Sequence, residues 1–269
     1  MFQKINTIAV ASLLFAIIFS SCSDYQKVLK SSDYELKYEK AKEYYDKEDY
    51  IRAINLFEEL ISIYKGTSKA EELYYYYANC HYKEYDYIMA GHYFRSFAKT
   101  FPFSKNAEEA EYLSAFCYYK DSPPFSLDQS YTMKAIEEMQ VFINKHPNST
   151  RLDEANKIID KLRHKLEEKS YSSASLYFQI GDYKAAITAL KNSLIDYPDS
   201  EYREDIMFLI LKSSFLLADK SVFSKKHDRF VNTQKAYVAF EQAYPESEQI
   251  KEVIRIRKKT EDYLSGKNI

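Results

Sequence analysis

A phrase of the form Glu-x-x-Tyr-x-x-Ala-x-x-x-Tyr occurs three times in this chain at a constant spacing of 37 residues. The copies are Glu35, Tyr38, Ala41 and Tyr45; Glu72, Tyr75, Ala78 and Tyr82; Glu109, Tyr112, Ala115 and Tyr119. A fixed period of this length marks a stacked-repeat architecture, because each unit is one small element that cannot bury its own outer face. Steps of three, three and four are the steps along one side of a helix. The second half of each unit also recurs. Asp49-Tyr50-Ile51-Arg52-Ala53-Ile54 matches Asp86-Tyr87-Ile88-Met89-Ala90 and Asp182-Tyr183-Lys184-Ala185-Ala186-Ile187, each followed four residues after its alanine by Phe57, Phe94 or Leu190. Units then close on Phe101-Pro102-Phe103-Ser104, His146-Pro147-Asn148-Ser149, Tyr197-Pro198-Asp199-Ser200 and Tyr244-Pro245-Glu246-Ser247, with Lys65 at the proline's place in the first. Proline followed by serine stops one helix and caps the next.

Each unit therefore reads as a helical hairpin, and the pattern of small residues, Gly-Asp-Tyr-x-x-Ala, an aromatic and a terminal proline resembles the tetratricopeptide repeat. Ala174, Tyr177, Gly181, Tyr183, Ala186, Leu190 and Pro198 carry it best. The expected fold is all-α, a right-handed solenoid of about five such hairpins at roughly 34–67, 70–104, 107–149, 168–200 and 203–247. The paired alanines are 12 apart in units one, two and four but 20 apart in unit three (Ala115 to Ala135), so a loop is inserted at Asp121-Ser122-Pro123-Pro124-Phe125-Ser126. A linking helix at 151–168 and a capping helix at 248–264 complete the expectation. Only four glycines stand in 269 residues, which leaves no glycine-rich loop to cradle a nucleotide phosphate. Lys and Arg number 38 against 40 Asp and Glu, without the basic excess that nucleic-acid binding draws on.

The first residues read as an address. A cationic start is followed by an apolar run over 5–19, too short to span a bilayer in comfort, and then by Ser20-Ser21-Cys22. Small residues ahead of a cysteine resemble a bacterial lipobox, with a signal peptide over 1–21 and a lipidated Cys22 heading a tether over 22–33. Acyl chains on Cys22 would hold the body at a membrane. Cys80 and Cys117 fall at equivalent places in successive repeats and are expected to be buried free thiols, since equivalent helices stack too far apart for easy bridging.

Candidate binding residues follow from the repeats. Tyr38, Tyr75 and Tyr112, with Tyr45, Tyr82 and Tyr119, recur on the helix face that lines the inner groove of such repeats, where large rings with a polar tip suit a bound peptide. The same rings serve equally as packing between helices. Lys225, Lys226 and Arg229, and Arg255 and Arg257, form basic clusters that are either solvated faces or an acidic partner's docking site. No catalytic or metal-binding motif is present, the five histidines are scattered, and no cofactor is implied, so a binding scaffold rather than an enzyme is expected.

The lipobox followed by these repeats resembles the BamD (ComL-type) family of outer-membrane barrel-assembly lipoproteins, across roughly 24–247. The resemblance rests on Ser32-Asp33-Tyr34-Glu35-Leu36-Lys37-Tyr38-Glu39-Lys40-Ala41 and the Pro-x-Ser closures, and the insert at 122–129 looks like that of Bacteroidetes-type members. It implies a lipid-anchored scaffold on the periplasmic face of the outer membrane. Repeats over 34–149 would hold segments of unfolded outer-membrane proteins, and 150–269 would dock on a barrel protein carrying POTRA domains. The alternative is a repeat scaffold for peptidoglycan or envelope-division machinery.

Overall fold

The computed structural model describes residues 24–267, so the signal peptide and Cys22 lie outside the described residues. Within them the chain is helical throughout: α1 Tyr34–Asp46, α2 Tyr50–Ile63, α3 Ala70–Lys83, α4 Tyr87–Thr100, α5 Ala107–Lys120, α6 Ser130–Lys145, α7 Leu152–Gln179, α8 Tyr183–Asp196, α9 Arg203–Asp219, α10 Phe223–Ala243 and α11 Ile250–Leu264. The all-α array of consecutive hairpins expected from the repeats is what forms.

Two devices in the sequence set the helix boundaries. Inside a hairpin, one aspartate ends the first helix and starts the second. The Asp49 N–H reaches back to the Tyr44 carbonyl (2.9 Å), the Glu48 N–H to that of Tyr45 (3.0 Å), and the Asp49 carboxylate accepts from the Arg52 N–H. This is a Schellman stop fused to an N-cap. It recurs at Asp86, which caps Met89, and at Asp182, which caps Ala185. The residue before each aspartate takes a left-handed backbone, with φ +59° at Glu48, +61° at Tyr85 and +83° at Gly181. Only the last has the glycine that this conformation favours.

Between hairpins, the hydroxyl of Thr67, Ser104, Ser149, Ser200 or Ser247 accepts the N–H two residues later, at 3.0–3.3 Å. Thr67 therefore supplies the closure that Lys65, in place of proline, does not.

Two compact units form, one from residues up to Ser122 with Ser130–Asn156, the other from Pro123–Gln129 with the residues from Lys157 onward. The first holds α1–α6 around Leu56, Phe57, Leu60, Leu73, Phe94 and Phe97, all fully buried. Ala53 and Ala90 are buried where paired helices meet, and Gly91 brings α4 so near α5 that an added Cβ would sit 3.1 Å from the Cys117 Cβ. The second unit packs Ala174, Ala186, Leu190 and Ile206 in one cluster and Leu211, Phe240, Val253 and Ile256 in another.

Two expectations change. The linking helix and the first helix of the fourth repeat are one continuous helix, α7, because the residues around 168 offer no glycine, proline or capping phrase to break it. The inserted loop, which spans 121–129, belongs for the most part to the second unit. Its carbonyls are taken by α7: Lys165 Nζ donates to Pro123 (2.9 Å) and Lys169 Nζ to Phe125 (3.1 Å) and Leu127 (2.7 Å). Gln129 holds the loop from inside, donating to Pro124 and Leu127. After α9 the chain is helical again from Phe223.

Candidate functional site

The repeated tyrosines fall into two rows with different surroundings. In the first row Tyr38 and Tyr112 are buried and Tyr75 is half-buried. Tyr38 meets Tyr64 at 5.8 Å between ring centres, Tyr75 meets Phe97 at 5.2 Å and Tyr112 meets Phe142 at 5.5 Å, so each ring closes its own hairpin. In the second row Tyr45, Tyr82 and Tyr119 are each half-buried. Tyr45 lies edge-on to Tyr50 and to Tyr76 of the next repeat, Tyr82 to Tyr87, and Tyr119 leans on Phe116. The second row is half-buried at all three positions, whereas the first is half-buried only at Tyr75.

The first row also carries a polar network from one repeat to the next. Tyr38 Oη donates to Glu72 at 2.7 Å, and Glu72 also accepts from Lys42 at 3.0 Å. Burial, then the Glu72 carboxylate, pushes the Tyr38 phenol well above its ordinary range, while the same hydrogen bond holds the Glu72 carboxyl low. Tyr112 lies beside Glu154, and Tyr171 near Asp205; burial and those charges raise both phenols. A second contact runs back the other way. The residue whose N–H meets the closing Ser or Thr lays its side chain on the preceding repeat: Lys69 on Glu35, Arg151 in a two-pronged pair with Glu109 (2.6 and 3.1 Å), and Gln249 on Asp205 (3.1 Å). Lys69 and Arg151 also sit over the rings of Tyr38 and Tyr112, at 5.1 and 4.8 Å. In the same place Tyr202 stacks on Tyr171 at 4.8 Å.

These partners were not read from the sequence. Glu35, Glu72 and Glu109 stand out as part of the repeated phrase, but these partners lie 29 to 42 residues away. The signal the sequence offers is the constant step of two from each closing Ser or Thr to the residue that reaches back.

The basic candidates separate as well. Arg255 pairs with Glu252, and Arg257 with Glu241 and Glu261, so both are engaged within their own unit. Lys226 lies over the Tyr263 ring at 5.8 Å, and Lys225 is exposed. Arg229 is half-buried, donates to Ser221 at 2.5 Å and lines a groove between α8 and α10. Among the described residues no cluster of three or more His, Cys, Asp or Glu is placed to hold a metal ion, and no helix is long and apolar enough to cross a membrane.

What the arrangement offers is a set of helices whose backbone groups are bonded internally, so that aromatic and charged side chains make up the exposed surface. A protein-family model described as an outer membrane lipoprotein matches residues 31–229, most of the repeat array. No curated protein matches the chain.

Proposed function

The chain belongs to the YfiO family of outer membrane lipoproteins, and from that membership we propose that it is a scaffold of outer-membrane β-barrel assembly. It is held on the periplasmic face by a lipidated Cys22 and performs no chemistry of its own. The family match across four of the repeats is the observation that carries this reading.

In this reading the first unit receives a segment of an unfolded barrel protein against Tyr45, Tyr82 and Tyr119. Half-buried phenols suit the task, since they give contact area at low entropic cost and a hydroxyl for an unpaired peptide backbone. The Tyr38–Glu72 and Glu109–Arg151 contacts keep successive repeats in fixed register, so the surface is formed before the peptide arrives. Binding is weak and reversible, as handing a client on requires. The second unit docks on a barrel protein that carries POTRA domains.

Affinity purification of the tagged lipoprotein from gently solubilised outer membranes tests the assembly role. A stoichiometric barrel protein with POTRA domains is expected; recovery of peptidoglycan or division proteins alone would overturn it. For the client surface, a triple Tyr45→Ala, Tyr82→Ala, Tyr119→Ala chain should keep its helical circular dichroism and lose affinity for a peptide taken from a barrel's terminal strand.

A further inference from the structure

The second unit holds an open cavity of about 480 Å³ between α8 and α10, with α9 as its floor. Leu194, Met207, Ile210 and Ala236 give it an apolar lining. Its polar rim is of one sign: Lys184, Lys191, Arg229 and Lys235 line it, and no carboxylate does. None of these four cations forms an ion pair within the described residues, and the three lysines are exposed.

The first unit supplies an internal comparison. The corresponding groove between α4 and α6, floored by α5, also carries cations, but Glu111 and Glu138 are among its lining residues. They pair with Lys145 and Arg95 respectively. The same architectural position thus has two of its three cations paired in one unit and none of its four in the other. Four cations around an apolar floor repel one another, and the repulsion is relieved by a partner that brings acid to the rim and apolar side chains to the floor.

We propose that this groove docks an acidic amphipathic helix of a partner protein. A helix fits better than an extended strand. All three walls are helices whose own backbone groups are already bonded, so a strand would lay unpaired N–H and C=O groups on an apolar floor. From Lys184 to Leu194 the groove wall runs roughly 15 Å along α8, about three turns of a docked helix. The inference deepens the docking part of the proposed function and rests on it, by naming the surface and the partner's chemistry.

The test uses the full chain and a synthetic amphipathic helix about eighteen residues long, with leucines on one face and glutamates on its flanks, read by fluorescence anisotropy. Binding should weaken at least about tenfold in a Lys191→Glu/Lys235→Glu chain, and should fall steeply as salt is raised on the unaltered chain. A Lys251→Glu/Lys258→Glu chain, altered at exposed lysines outside the groove, should bind as the unaltered chain does. Absence of binding, equal binding to the groove variant, or stronger binding of the matching peptide with lysine for glutamate would overturn the inference. So would binding of phosphatidylglycerol vesicles that depends on Lys191 and Lys235 when the acidic peptide does not compete. Co-purification of a POTRA-bearing barrel protein with the unaltered chain is scored separately, so the groove can fail while the docking role stands.

Discussion

The Tyr38 hydroxyl donates a 2.7 Å hydrogen bond to Glu72, the glutamate that opens the same phrase one repeat later. The donor is buried and the acceptor is exposed, so the two partners are unequal when removed. Glu72→Ala leaves a buried phenol unpaired and frees Lys42, and is expected to cost about 1–3 kcal/mol. Tyr38→Phe removes the donor with little change of shape and should cost about 0.5–1.5 kcal/mol. In the double variant the losses should not add, with a coupling of about 1 kcal/mol. Denaturant midpoints of the four chains give the cycle; strict additivity would show that the bond contributes nothing between repeats.

Glu48 and Tyr85 hold the left-handed position that glycine holds at 181. Both are exposed, Tyr85 with only an edge contact to Tyr87, so neither side chain gains much packing to offset the backbone strain. Glu48→Gly and Tyr85→Gly should each stabilise the chain, by about 0.5–1 kcal/mol, because the left-handed penalty outweighs glycine's extra freedom when unfolded. Gly181→Ala, in open space but at φ +83°, should destabilise by about 1 kcal/mol. The three thermal midpoints, read against the unaltered chain, check both signs.

The hairpins were legible because their signals are local. Asp49, Asp86 and Asp182 announce a turn, Pro-x-Ser announces a closure, and both can be read within a dozen residues. The fused helix α7 was not, because a repeat boundary was expected where the helix propensity never drops. Nor was the role of the repeated acids. Within one helix Glu35 and Tyr38 look like a matched pair on one face, whereas the partners that matter sit in adjacent repeats, Lys69 for Glu35 and Glu72 for Tyr38. The groove between α8 and α10 was invisible for a similar reason. Lys184, Lys191 and Lys235 read as ordinary solvated positions until two separate helices, α8 and α10, bring them to one rim. Of the four cations only Arg229 stands in a run that the sequence itself marks as basic.

Gly91 is a packing glycine. Its neighbour is the Cys117 Cβ, 3.1 Å from where a methyl would go, and its carbonyl accepts the buried Ser114 hydroxyl at 2.9 Å. Gly91→Ala should therefore cost about 1–3 kcal/mol by forcing α4 from α5, despite the better helix propensity of alanine. Adding Cys117→Ala should not restore stability, since alanine keeps the atom that obstructs. Recovery in that double variant would place the conflict at the sulfur instead.

Cys80 and Cys117 are free and buried, as their place in the repeats implied, and burial pushes each thiol up to about 12. A thiol so raised has almost no thiolate near pH 8. In a soluble chain beginning at residue 24, Ellman's reagent should find neither thiol in native buffer and both in denaturant. Fast native labelling would mean that α3 or α5 opens readily.

Acid should loosen the repeat contacts before it melts the helices. The Tyr38 hydrogen bond and Lys42 hold the Glu72 carboxyl below its ordinary value near 4.5. At Glu111 burial works against the charge, yet hydrogen bonds from Lys145 and His146 outweigh it and also leave the carboxyl low. A carboxyl that is lowered in the folded chain takes up its proton more easily when unfolded. It therefore stabilises the fold above the unfolded value, and that stabilisation is lost as pH falls through the folded one. Thermal midpoints should accordingly fall from about pH 4.5 downward through these groups. A Glu72→Gln/Glu111→Gln chain should begin lower at neutral pH, fall less, and meet the unaltered chain at the acid end. Parallel curves across the whole range would mean that neither the Glu72 contact between repeats nor the Glu111 contact within the third is coupled to folding.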